Sequence, residues 1–251
     1  MTSIPLQTSD ISIIVPTLNE EELIGNWQKL QSLVGGRSSS IHGASDTGAS
    51  MPCDHSCEII IVDGGSSDQT VSLARSHGFR VESCHSGRGA QLNHGARLAS
   101  GKILLFLHAD TELPADFAQA LLHCLNNTSA IAGAFSLAIE NAGLLLRLIC
   151  LGANLRSRLL QLPYGDQALF IRRDDFLRIG GFPEAPIMED FIFIRRAGQE
   201  GRIATLSQKV TTSARRWQRL GVIRTTLINQ FVILGFYVRV PLQKLASLYR
   251  R

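Results

Sequence analysis

The chain has 251 residues, 45% of them hydrophobic and 18% charged, which suits one large domain or two small ones and excludes a disordered chain. Its net charge of +4 hides an asymmetry, because residues 201–251 hold ten Lys or Arg and no Asp or Glu. An acid-free segment of this kind points to phosphate-bearing partners: a nucleotide, a lipid head group or nucleic acid.

The N-terminal "MTSIPLQTSD" has neither the basic region nor the apolar core expected of a secretory leader. "ISIIVPT" (11–17) then reads as a buried strand, and 19–33 as a helix whose first turn is rich in glutamate. Residues 35–56 are Gly- and Ser-rich without hydrophobic period and read as an exposed insertion. "CEIIIV" (57–62) is a second buried strand, followed by a helix over 69–77, a short strand over 80–84 and a helix over 89–99. A fourth strand spans 103–107 and a helix 114–126. Apolar strands alternating with helices predict an α/β fold with a mostly parallel sheet covered on both faces. In such a sheet "PTLNE", "DGGSSD" and "HADTE" meet at the carboxyl edge, where ligands bind.

The second half reads as a strand over 130–139, a helix over 143–160 with Arg147, Arg156 and Arg158 exposed, a strand over 167–173 and a helix over 189–199. The apolar segment 222–240 is interrupted by Arg224, Asn229 and Gln230. Its polar-free run falls short of the roughly 20 residues that span a bilayer, so a surface or core-packing helix is expected. Five scattered cysteines, at 53, 57, 84, 124 and 150, read as reduced thiols in a cytoplasmic protein. Cys53, His55 and Cys57 lack the second pair that a zinc site needs.

Several motifs admit two readings. Asp63, before two glycines, suits a turn or an acceptor reaching a base or ribose. Asp110 suits a helix cap or an oxygen ligand for a hard cation, and a strand's period of two puts His108 on the same face. "GRGAQLNHGA" (87–96) sets Arg88, Gln91 and Asn93 at a helix start, where phosphates bind. "MED" (188–190) suits either the helix dipole or chemistry, and "SARRW" (213–217) either a solvated basic helix or a guanidinium clamp on a diphosphate.

In this order "IVPTLNEE", "EIIIVDGGSSDQT", "LHADT", "ALFIRRDDFLRIGGF" and "MEDFIFIRR" resemble the family 2 glycosyltransferases of the GT-A fold, a Rossmann-like sheet with helices on both faces. The likeness runs through nearly the whole chain from residue 11. "GRGAQLNHGA", "PYGDQALF" and "LASLYRR" further resemble a bacterial subgroup of small members linked to arsenosugar biosynthesis. The resemblance implies an inverting transfer from a nucleoside-diphosphate sugar, with UDP favoured, to an acceptor hydroxyl, assisted by a divalent cation, Mn²⁺ or Mg²⁺. Pro16, Thr17, Asn19, Glu20 and Asp63 match positions lining the nucleoside. Arg88, Gln91, Asn93, His108, Ala109 and Asp110 complete the donor side. Asp110 matches the metal-binding aspartate, while His108 stands where the family carries another aspartate, and an imidazole favours softer ions. Glu189 and Asp190 match the catalytic pair, with Asp190 as general base.

Arg215, Arg216 and Trp217 match a diphosphate clamp, and Gly165, Asp166 and Gln167 border the acceptor. The implied organisation is an N-terminal extension (1–10), a GT-A domain (11–213) containing the 35–56 insertion, and a basic helical segment (214–251). The basic tail implies peripheral contact with the inner face of the membrane, and no nucleic-acid partner is expected. Two alternatives compete. A sugar nucleotidyltransferase requires a Gly-rich signature and a basic residue after the first strand, and "PTLNEE" has neither. A non-catalytic nucleotide-sugar or membrane-surface binding protein would use the tail but not the acidic pair.

Overall fold

The computed structural model describes residues 10–34, 56–85 and 87–249. The expected extension, the insertion up to residue 55, Cys53 and the last two arginines lie outside them.

The first half follows the alternation legible in the sequence. Strand β1 (Ile11–Thr17) leads through a short 3₁₀ turn (Glu21–Leu23) into helix α1 (Ile24–Val34). Then come β2 (Cys57–Asp63), α2 (Thr70–Ser76), β3 (Arg80–Ser83), α3 (Arg88–Leu98) and β4 (Ile103–Phe106). The two-residue β5 (Thr111–Glu112) precedes α4 (Phe117–Asn127), β6 (Ala130–Ile139) and α5 (Leu144–Leu160). After β7 (Leu169–Arg172) and α6 (Arg173–Ile179) come α7 (Glu189–Glu200) and β8 (Arg202–Thr212). Three helices close the chain: α8 (Arg215–Leu220), α9 (Val222–Tyr237) and α10 (Leu242–Tyr249).

Eight strands form one sheet in the order β3-β2-β1-β4-β7-β6-β8-β5. β1, β2, β3 and β4 run parallel, as do β6 and β8, while β7 and β5 run antiparallel to their neighbours. The period of two along each central strand feeds two cores. Ile13, Val15 and Leu105 face Trp27, Leu121 and Phe117 on one side. Ile14, Leu104 and Phe106 face Leu92, Phe182 and Phe193 on the other. Burial on both faces explains why β1, β2 and β4 are continuously apolar rather than alternating. A third cluster joins Phe191 and Met188, at the start of α7, to Val232 of α9 and Leu245 of α10.

After β3 the chain returns to the other side of β1 to form β4. That reversal is a topological switch point, and it opens a crevice beyond the carboxyl ends of β1 and β4.

Four features depart from the sequence reading. β8 is missed because its burial varies irregularly along the strand, with neither a continuous apolar run nor a strict alternation. β5 is too short for a pattern, and α10 reads only as a basic tail. Arg156 is not exposed: its guanidinium lies 3.4 Å from the centre of the Tyr164 ring, and it donates to Leu162 O and Gln167 Oε1.

Candidate active site

The expected donor side is built by two loops that lock together. Asn19, at φ 55°, takes the left-handed conformation that asparagine tolerates. Its Oδ1 accepts from Ser67 N at 2.9 Å, and its N–H donates to Ser66 Oγ at 2.8 Å. Glu20 N donates to Thr70 Oγ1 at 2.8 Å. Asp63 is buried, and both its oxygens are spent on its own turn, accepting from Gly65 N, Ser66 N and Ser66 Oγ. Gln91 is likewise buried, donating from Nε2 to Thr17 O at 3.0 Å and Val62 O at 2.8 Å. It ties the ends of β1 and β2 together. Asn93 exchanges two hydrogen bonds with the backbone of Phe182, fastening α3 to the loop that precedes α7. These three side chains shape the crevice rather than face into it. Pro16, in contrast, is half-buried at the end of β1.

Asp110 arrives by a route invisible in the sequence. β4 ends at Phe106, and Thr111 N donates to His108 O at 3.1 Å in a turn. The strand's period of two therefore no longer relates His108 to Asp110. β5 pairs Thr111 with Thr212, so Ser213 N reaches Asp110 O at 3.1 Å. The same pairing delivers Arg215, which contacts Glu20 Oε2 at 3.1 Å and Glu22 Oε2 at 3.5 Å. Burial raises the pKa of Glu20, and Arg215 opposes the shift. Of the expected clamp, only Arg215 reaches the loop that carries Glu20 and Glu22. Arg216 donates to Tyr249 Oη and lies 3.8 Å from the centre of its ring. Trp217 packs against an apolar cluster with Ala214, Leu146 and Cys150.

On the other side of His108 lies a cavity of about 350 Å³. Arg88, His108, Asp166, Glu189 and Asp190 line its polar side, and Ile187, Met188, Phe191, Val232 and Ile233 its apolar side. Asp190 sits in the first turn of α7, with Oδ2 accepting from Gly165 N at 2.6 Å and Oδ1 from Phe191 N at 2.7 Å. Glu189 is buried and pairs with Arg88 Nε at 3.3 Å. Burial and the charge of Asp190 raise its pKa. Burial, and the Arg88 cation, hold His108 well below the usual histidine value. Burial lifts Asp166 to about 6, with Asp190 adding to the shift and Arg156 opposing it. Gln167 does not border the cavity. It is buried, donating to Phe135 O and accepting from Ser157 Oγ.

Four polar atoms in or beside this crevice are buried without a hydrogen-bond partner: Thr17 Oγ1, Arg215 Nε, Asp166 Oδ1 and Asn229 Oδ1. Each such group costs roughly 1–3 kcal/mol unless a ligand or water satisfies it. Asn229 and Tyr249 were not anticipated as site residues. Asn229 left one sign, an amide beside Gln230 in an otherwise apolar helical run.

Among the described residues no three His, Cys, Asp or Glu side chains converge as a metal cage. Ala109 is buried, and Asp110, half-buried, is absent from the cavity wall that holds His108. This donor set fits a hard cation held by one or two carboxylates and completed by phosphate oxygens and water.

The comparisons with known proteins agree with this architecture. Residues 12–145 match the family model described as glycosyl transferase family 2. No curated protein sequence matches the chain. Among solved structures, the chain resembles S. aureus TarS 1–349 in complex with UDP-GlcNAc, at 19% identity and a TM-score of 0.59, covering 81% of this chain and 58% of that one. It also resembles the mannosyltransferase PcManGT from Pyrobaculum calidifontis in complex with GDP-Man and Mn²⁺, at 19% identity and a TM-score of 0.62, covering 97% and 70%. The chain thus spans little more than half the length of that TarS chain, and at such identities the likeness establishes the fold. With more than half of its length matched by the family model, the chain belongs to glycosyl transferase family 2.

Proposed function

We propose that the protein transfers a sugar from a nucleoside-diphosphate donor, with UDP favoured, to an acceptor hydroxyl, inverting the anomeric carbon. One observation carries the reading. Asp190 is fixed by Gly165 N–H at 2.6 Å, beside a cavity in which Asp166 Oδ1 and Asn229 Oδ1 lack partners. An acceptor bearing hydroxyls satisfies both. Its reactive oxygen bonds to the anomeric carbon while Asp190 takes the proton. The bond from that carbon to the diphosphate breaks, and the electron pair leaves with the diphosphate. The opposite approaches of acceptor and leaving group give inversion.

The nucleoside lies on the locked loops of Thr17, Asn19, Glu20 and Asp63. Arg215 and Arg88 neutralise charge on the diphosphate, and each is already held by a carboxylate, Glu20 and Glu189. Such preorganised charge lowers the barrier without reorganisation during the reaction. Asp110 would hold a divalent cation, Mn²⁺ or Mg²⁺, which supplies charge neutralisation to the leaving diphosphate. His108 lines the cavity wall from which Asp110 is absent, and in this reading it is a wall of the site rather than a metal ligand. The bacterial subgroup linked to arsenosugar biosynthesis remains part of this reading, as do the division at residues 11–213 and 214–251 and a cytoplasmic location.

The test is thermal stabilisation by UDP, GDP and other nucleoside diphosphates, with and without Mn²⁺, followed by donor turnover. Binding to the folded state raises the melting temperature with occupancy. Metal-dependent stabilisation with turnover lost in Asp190→Asn supports the proposal. No binding of any nucleotide overturns it and favours a degenerate donor site.

A further inference from the structure

Helices α5 and α9 are apolar on two opposite faces. The inner face of α5 packs Leu146 and Cys150 into the body of the protein. Its outer face carries Leu144, Leu148, Leu151, Leu155 and Leu159, every one at least half exposed. Their spacing of three and four makes one continuous stripe along the helix. α9 repeats the arrangement. Its inner face presents Asn229, Val232 and Ile233 to the cavity, while Ile223, Leu227, Phe231 and Leu234, with Val238 just beyond its end, are at least half exposed on the opposite side. Only the first residue of α9, Val222, packs with Ala214 and Trp217 against the cluster that holds Leu146 and Cys150 of α5. Ten exposed large apolar side chains on these two helices and just beyond α9 exceed what a freely soluble surface normally carries.

The charges select the partner. Neither helix contains an Asp or Glu. Arg147 and Arg158 stand exposed on α5, and Arg219, Arg239 and Lys244 stand exposed around α9. A second copy packed by two-fold symmetry would set this surface against itself, bringing like charges together. An anionic lipid surface offers an apolar boundary for the leucines and phosphates for the cations. Among the described residues no helix is long and apolar enough to cross a membrane, so the helices would lie in the interface.

We propose that the outer faces of α5 and α9 dock the protein on an anionic lipid bilayer. The contact differs from that expected of the basic tail alone. The stripes supply the area, and the arginines and Lys244 form its rim. The proposal does not depend on the transfer reaction.

Flotation with vesicles of phosphatidylcholine alone, or mixed equally with phosphatidylglycerol, tests it. The full chain is expected to float with the mixed vesicles and far less with phosphatidylcholine, and high salt should weaken binding. Two variants, Leu148→Gln/Leu151→Gln/Leu155→Gln and Leu227→Gln/Phe231→Gln/Leu234→Gln, should each weaken binding by at least about tenfold. Circular dichroism confirms their folding, and Arg219→Gln/Arg239→Gln/Lys244→Gln gives an independent arm that should remove the preference for anionic lipid. Loss in one helix alone narrows the surface to that helix. The proposal is overturned if the wild-type chain ignores anionic vesicles. It is equally overturned if the chain is a stable dimer that either apolar variant converts to monomer, because a second copy then covers these faces.

Discussion

Gly165 and Asp190 are matched in shape as well as in hydrogen bonding. The Gly165 N–H donates to Asp190 Oδ2 at 2.6 Å. A Cβ on Gly165 would stand 3.0 Å from that same oxygen and 3.0 Å from His108 Nε2. The missing side chain lets the backbone approach both groups and fixes the orientation of the carboxylate.

Gly165→Ala should therefore impair catalysis more than folding. Overpacking at a rigid, hydrogen-bonded carboxylate costs about 1–3 kcal/mol, and displacing a positioned base by around 1 Å costs roughly 10²-fold in rate. Steady-state kinetics should show kcat falling while donor KM stays close to wild type. A variant with normal kcat would remove the positioning role.

Asp190→Asn keeps an oxygen for the Gly165 N–H but cannot take a proton. Turnover should fall by about 10²–10⁴-fold, while thermal stabilisation by the nucleoside diphosphate persists. Loss of both together would mean that Asp190 holds the donor instead.

Asp110→Asn tests the cation. The part of nucleotide stabilisation that requires Mn²⁺ should vanish, leaving the part contributed by Arg215. His108→Ala should leave the metal-dependent part in place, and its disappearance would make the imidazole a ligand after all.

Asp166 gives a pH signature. Its carboxyl is raised from 3.8 to about 6, so the folded state holds the proton more tightly than the unfolded chain. The resulting stability is fully present below about pH 4 and is lost as the pH rises through about 6. Asp166→Asn removes that dependence. Relative to wild type it should gain on the order of 2 kcal/mol between these limits, or roughly 4–8 °C in melting temperature. Paired melts across this range check it; a constant difference would refute the shift.

Gln91 separates a structural from a ligand-binding role. Gln91→Leu leaves Thr17 O and Val62 O without their donor, at a cost of about 1–3 kcal/mol, so the melting temperature should fall without any ligand present. An unchanged melting temperature with weakened donor binding would restore Gln91 to the donor site.

Much of the donor half was legible because its signals are local. Continuous apolar runs require strands buried on both faces, and "PTLNE" and "DGGSSD" are strand-end loops whose short polar residues hydrogen-bond nearby backbone. Asp190 was legible as the second of two acids opening a helix. Asp63, Gln91 and Gln167 carry the same residue types as ligand-binding groups, and the sequence does not reveal that their polar atoms are spent on backbone and side chains up to 74 residues away.

What the sequence determined by itself is the order of the elements, the two-sided burial of the first sheet strands and the acid-free end of the chain, since each depends on neighbours along the chain. What only the tertiary structure decided is who meets whom. The pairing of β5 with β8 carries Arg215 to Glu20, across 195 residues. The packing of α9 on α7 makes Asn229 a wall of the cavity and turns its leucines outward. These contacts join segments far apart in sequence, and no local period or propensity encodes them; they follow from the closing of one sheet and the burial of the last helices against it.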